Sequence, residues 1–251
     1  MNYKSIITLM LCALLGFSGM AQKKKTFTVN GVSFNMIYVQ GGTFKMGAND
    51  SKAYDKEKPV HRVTLSDYYI GETEVTQELW EAVMGSNPSW SKGSNKPVET
   101  VSWDDCQEFV AKLNELTGKN FSLPTEAQWE YAARGGKKSR GYKYSGSNTI
   151  GKVAWNTDNS SDSTHPVGTK SPNELGLYDM SGNVCEWCSD RDGSYSSSSQ
   201  TNPTGPTTGS YRMFRGGSWC HSARHCRVTH RSSDYPSNRD RNYGLRLALR
   251  P

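Results

Sequence analysis

The chain has 251 residues, with 34% hydrophobic and 22% charged residues, and carries a formal net charge of +6. That charge is modest, its lysines crowd at Lys23, Lys24 and Lys25, and no basic stripe is interleaved with aromatics, so nucleic acid is excluded as a natural partner. Lys4, the apolar run Ile6 to Phe17 and the small residue Ala21 read as an export signal over 1–21, too short in its apolar part to span a bilayer. The expected product is exported, with no membrane span after cleavage. Residues 22–34 are expected as a solvated tail and 35–251 as one large domain. Export permits disulfides, and the five cysteines beyond the signal leave at least one unpaired in a monomer.

In chain order, Asn35 to Gln40 alternates as a strand and leads into a Gly-Gly turn at Gly41-Gly42. Residues 48–59 form a polar, irregular loop, after which His61 to Leu65 and Tyr68 to Ile70 return to strand composition. Thr76 caps a helix reaching Met84, with Gly85 as its stop. Ser102 and Asp105 make a capping box for a helix whose stripe is Phe109, Leu113 and Leu116, and Thr125 with Gln128 makes another opening Glu126 to Arg134. From Gly135 onward, regular periodicity fades. So much loop inside a domain calls for functional loops or for staples. Ser194 to Ser210 is nearly low-complexity and is expected to be a mobile excursion.

The C-terminal interval is unusual. From Cys220 to the end there is no Lys, Glu, Gln, Met or Trp, although all 17 lysines lie at or before Lys170. Those five residue types cannot be written by a codon ending in C. His221, His225 and His230 with Cys220 and Cys226 place five soft or borderline metal ligands close together, one reading of this interval. Cys185 and Cys188 form a lone Cys-x-x-Cys, redox-active or metal-binding if its thiols converge. Cys106, within a helix, reads as a small buried residue.

Several segments stand in the order of a known family: Gly41 to Gly47, Glu72 to Thr76, Val101 to Asp105, Leu123 to Gly136, Asn173 to Trp187 and Arg215-Gly216-Gly217-Ser218-Trp219. The chain thus resembles the sulfatase-modifying-factor, or formylglycine-generating-enzyme, family. The resemblance implies an α+β, C-type-lectin-like fold, loop-rich and low in regular structure, with structural calcium. Asn183 and Glu186 are the side chains expected to hold calcium, with Asn156 and Asp158 behind them. The family's name-giving enzymes use copper and oxygen to oxidise a sulfatase cysteine at a pair of cysteines after the Gly-Gly-Ser turn. Ser218, Cys220 and Cys226 would be that site, but Cys220 stands one residue too close to Ser218 and the interval between the cysteines is one residue longer. The same resemblance implies a Cys188–Cys226 disulfide, shared with non-catalytic relatives.

The composition of the last segment also resembles the variable region of proteins diversified by retroelement-driven adenine mutagenesis; an ordinary polar loop of biased codon usage is the alternative. On that resemblance Trp219, Cys226, Arg227, Arg231, Pro236 and Gly244 are fixed. The exchanged, ligand-facing positions are Cys220, His221, Ser222, His225, His230, Ser232, Ser233, Asp234, Tyr235, Ser237, Asn238, Asp240, Asn242 and Tyr243, with Trp219 beside them. Tyr, Ser, Asn, Asp, His and Arg on a rigid frame are paratope chemistry. Three functions therefore stand as expectations: an exported protein binding a protein or glycan ligand, a copper-dependent oxidase, and an accessory component of a surface or secretion complex.

Overall fold

A computed structural model describes residues 23–251; the expected export signal at 1–21 lies outside the described residues. The first described element corrects the expected tail. Strands β1 (Lys24–Val29) and β2 (Val32–Val39) form a hairpin joined by Asn30-Gly31, both at positive φ (47° and 84°). An Asn-Gly pair is the sequence signature of such a turn, because its left-handed backbone matches the twist of the flanking strands. Lys25 lies over the Tyr69 ring at 4.3 Å, and Phe27 packs on Phe34 and Phe121, so this end of the chain belongs to the domain.

Strands β3 (Gly42–Met46), β4 (His61–Leu65) and β5 (Tyr68–Gly71) follow, then helices α1 (Gln77–Met84) and α2 (Trp103–Thr117), β6 (Phe121–Ser122), α3 (Glu126–Ala133) and the single turn α4 (Ile150–Val153). The second half supplies β7 (Cys185–Arg191), β8 (Gln200–Thr201), β9 (Arg212–Arg215), β10 (Ser232–Asp234), β11 (Tyr243–Leu245) and β12 (Ala248–Leu249). They assemble as sheets of order β1-β2-β5-β12-β6, β10-β9-β7-β11 and β3-β4-β8. Pairing is antiparallel except for β11 with β7 and β4 with β8. The terminal strand β12 sits between β5 and β6, tying the end of the chain to its beginning.

The three main helices start where their caps require. Thr76 accepts from Leu79 N, Ser102 from Asp105 N and Thr125 from Gln128 N, each satisfying an amide that the helix itself cannot. Gly85 and Gly118 close α1 and α2 in the left-handed conformation. Trp80 and Phe109 stack at 4.8 Å where α1 meets α2, over a core that includes Leu113, Phe121 and Leu249. Leu116 does not join that stripe; it is 51% exposed. A second core gathers Trp129 and Tyr131 of α3 against Val63, Met213 and Cys188.

Ser194 to Ser210 is tied down rather than free-standing. It contributes β8 alongside β4, the Asn202 side chain accepts from Ser66 N at 2.8 Å, and the Tyr195 ring packs on His61 (4.6 Å) and the Arg231 guanidinium (3.8 Å).

Candidate ligand-binding surface

The C-terminal interval begins where β9 runs into the core. Arg215 is fully buried and donates to Glu130 Oε2 at 2.5 Å and Glu126 Oε1 at 3.2 Å. The chain then turns through Gly216 and Gly217 at φ +95° and +68°. A Cβ on Gly217 would lie 2.8 Å from both Cys226 Sγ and the His225 carbonyl, so only glycine lets the two limbs of this loop meet. Ser218 is buried at that junction, with Oγ 2.9 Å from His221 Nδ1 and 3.3 Å from Cys220 Sγ.

Beyond the turn, burial sorts the interval into two sets. Arg227 is buried and donates to both oxygens of Glu57, while Arg231 grips both oxygens of Glu126. Cys226 is buried, and a Cβ on Gly244 would meet the Val98 carbonyl at 2.6 Å. By contrast Cys220, Ser222, Tyr235, Ser237, Asn238 and Asp240 are exposed, and His221, His225, His230, Ser232, Ser233, Asp234 and Tyr243 are half-buried; Trp219 is half-buried too. Asn242 departs from this pattern: it is buried, donating its amide to Cys220 Sγ at 3.2 Å.

His221, His225, His230, Ser232, Ser233 and Tyr243 line a cleft of about 550 Å³ that also receives Tyr54, Lys56 and Phe214. The His225 ring stacks parallel to Tyr54 with centroids 6.0 Å apart, and His230 lies 4.9 Å from His225 and edge-on to Tyr54 at 5.4 Å. Burial holds the imidazoles toward neutrality, His230 being pushed down to about 4 and His221 and His225 lowered. The cleft floor is therefore aromatic and hydrogen-bonding, with the paired cations of Arg215 and Arg231 at its back. Elsewhere in the interval, Tyr211 packs on Tyr235 at 4.5 Å and the Arg241 guanidinium covers Trp90 at 4.2 Å. Sequence reasoning does not reach Tyr54, Lys56, Trp90 and Tyr211. An aromatic side chain stranded in a polar loop is the available signal, but it does not state the destination.

The cysteines correct two expectations. Cys106, Cys185, Cys188, Cys220 and Cys226 are all free thiols. Cys188 packs with Met213 and Val228, whereas Cys226 packs with Tyr144 and Val153 in a separate cluster, so the expected Cys188–Cys226 bridge is not formed. Nor do Cys185 and Cys188 work as a dithiol pair. They lie three apart on β7, and that spacing sends their side chains to opposite faces of a strand. Burial raises the Cys185 and Cys188 thiols well above the usual range and pushes Cys226 up to about 12. Ser218 stands between the exposed Cys220 and buried Cys185 and Cys226, so the oxidase triad is brought together, though with Cys226 held as a thiol. Cys106 lies buried in α2.

Of the side chains expected for calcium, Asn183 and Glu186 are engaged by protein partners. Glu186 accepts from Arg246 Nε (2.9 Å) and Nη2 (2.8 Å) and from Trp129 Nε1 (2.7 Å). The Asn183 oxygen accepts from His165 N, and its amide donates to Glu74. Asn156 donates to Asp158, leaving only its own oxygen without a partner. Among the described residues no three His, Cys, Asp or Glu side chains close on a common metal position, the histidines of the cleft included.

The segments that carry the resemblance are thus the ones that build the frame: the Gly-Gly-Ser turn, the capped α3 and the buried strand β7. A sulfatase-modifying factor enzyme 1-like domain matches residues 21–251, nearly the whole chain. The chain belongs to that family. It is 34% identical to the chaperone protein LppX of Paenibacillus barcinonensis over 95% of this chain and 94% of that protein. It is 33% identical to the formylglycine-generating enzyme of Streptomyces coelicolor, over 84% of this chain and 88% of the enzyme. Among solved structures, Treponema denticola variable protein 1 superposes with a TM-score of 0.84 at 37% identity, over 91% of this chain and 99% of that one. The sulfatase-modifying-factor fold, α+β and C-type-lectin-like, is therefore shared by a chaperone, an enzyme and a variable protein, and function has to be argued from the site.

Proposed function

We propose that this sulfatase-modifying-factor homologue is an exported ligand-binding protein that displays residues 220–243 on a rigid frame. One observation supports the reading: of the residues taken as fixed, Cys226, Arg227, Arg231 and Gly244 are buried, the two arginines ion-paired to the scaffold, while those taken as exchangeable, Asn242 excepted, are exposed or half-buried. Exchange at such positions alters contacts without disturbing the core. Similarity to a protein named for its variability supports the same reading. The ligand is a protein or a glycan. Among the described residues, no helix is long and apolar enough to cross a membrane.

Binding to an array of cell-surface glycans and proteins tests this. A variant carrying His225→Ala, Tyr235→Ala and Asn238→Ala should lose the wild-type pattern while keeping its melting temperature. An unchanged pattern would remove the 220–243 surface from the function. A second reading, the copper-dependent oxidase, is favoured by the free Cys226 beside Ser218 and Cys185. Turnover of a Cys-containing sulfatase peptide, abolished by Cys226→Ser, would put that reading first.

A further inference from the structure

A second cleft, of about 560 Å³, lies away from the Gly-Gly-Ser turn, beneath the Ser194 to Ser210 excursion. Its floor holds Asp190 at the end of β7, only 4% exposed. One carboxylate oxygen, Oδ2, is spent: it accepts from Glu126 N at 2.9 Å and Ser189 Oγ at 3.0 Å. The other, Oδ1, accepts from no described residue, and the side chain lines the cleft. That oxygen is left to accept from a molecule in the cleft. Burial and the neighbouring Glu126 push the Asp190 carboxyl up to about 7.

The walls narrow what could supply the missing donor. Gln200, Thr201 and Thr204 bring an amide and hydroxyls that both donate and accept. The charges balance: Glu126 is held bidentately by Arg231, and Arg191 lines the same cleft as Asp190. An anion would face two carboxylates and a cation two guanidinium groups, so a neutral ligand is favoured. Tyr195 is already engaged by the His61 ring and the Arg231 guanidinium, so recognition here runs through hydrogen bonds.

We propose that this cleft is a second binding site, for a neutral polyhydroxylated ligand of pyranose size, with Asp190 Oδ1 accepting from a ligand hydroxyl. It is independent of the 220–243 surface, with only Arg231 in the wall between them.

Saturation-transfer NMR of the full chain with methyl glucopyranoside, methyl mannopyranoside and methyl galactopyranoside tests it. At least one should receive transfer. Asp190→Asn should weaken that binding about tenfold, equivalent to about 1.4 kcal/mol, because the amide oxygen replaces Oδ2 and an NH₂ then faces the ligand. Thr204→Trp, at an exposed loop position, should abolish transfer by filling the cleft, and Gln200→Ala serves if the tryptophan variant loses its melting transition. No transfer to any of the three sugars overturns the proposal. So does transfer that survives Thr204→Trp, which locates the sugar elsewhere, or transfer to spermidine or acetate in place of the sugars. Sugar binding lost on Tyr235→Ala but kept in Thr204→Trp would assign it to the 220–243 surface instead.

Discussion

Arg231 holds Glu126 with a two-pronged grip, Nε to Oε1 at 2.6 Å and Nη2 to Oε2 at 2.7 Å, across 105 positions of sequence. The pair joins the display interval to the first turn of α3, and Arg215 reaches the same carboxylate from β9. Removing one member leaves a buried charge without its partner. Arg231→Met should therefore destabilise the protein by about 3 kcal/mol or more, read from urea unfolding. A loss under about 1 kcal/mol would mean that Arg215 alone suffices for Glu126.

Gly217 is a different kind of anchor. Its φ of +68° and the 2.8 Å approach of Cys226 Sγ leave no room for a methyl group. Gly217→Ala combines backbone strain with a clash and should cost about 2 kcal/mol or more. Gly176 also has a positive φ, but open space lies where its methyl group would go, so the same change there should cost less. Thermal denaturation of the two variants separates crowding from strain.

The exposed set should behave in the opposite way. Ser222→Asn, Tyr235→Asn and Ser237→Asn are each expected to shift stability by no more than about 0.5 kcal/mol. A melting temperature lowered as far as by Arg231→Met would argue that these positions belong to the frame.

Thiol chemistry gives a direct count. In the native protein Cys220 should alkylate rapidly with iodoacetamide, whereas Cys106, Cys185, Cys188 and Cys226, all buried, should react only after unfolding. Mass spectrometry of denatured, unreduced protein should find all five alkylated. A Cys188–Cys226 bridged peptide in that sample would contradict the free-thiol arrangement.

The pH dependence has opposing parts. Asp190, with its folded carboxyl raised to about 7 from 3.8, binds its proton more tightly when folded, so its contribution is present at low pH and lost as pH rises through about 7. His230, lowered to about 4 from 6.5, contributes stability above pH 6.5 that is lost as pH falls toward 4. Asp190→Asn should therefore look better relative to wild type at pH 8 than at pH 5. Between those two pH values the swing is at most about 3 kcal/mol, since about two units of the displacement fall in that window and each is worth about 1.4 kcal/mol. Parallel stability curves for the two proteins would show that Asp190 does not titrate in this range.

The sequence by itself determined the elements whose causes are local. Thr76, Ser102 and Thr125 cap helices because their hydroxyls reach amides three residues on, and Gly85 and Gly118 stop helices because they adopt left-handed backbone; these distances lie along the chain and can be read from it. The Asn30-Gly31 hairpin was equally local and was obscured by the lysines beside it. The family segments and the residue bias of the last segment were likewise legible. Only the tertiary structure decided what meets across the fold: Tyr54 with His225, Glu57 with Arg227, Asp190 beneath the serine-rich excursion, and Cys188 apart from Cys226. Those outcomes depend on burial of charges and rings between segments far apart along the chain. A carboxylate taken out of water needs a particular guanidinium beside it, and no local pattern states which one the path of the chain will bring.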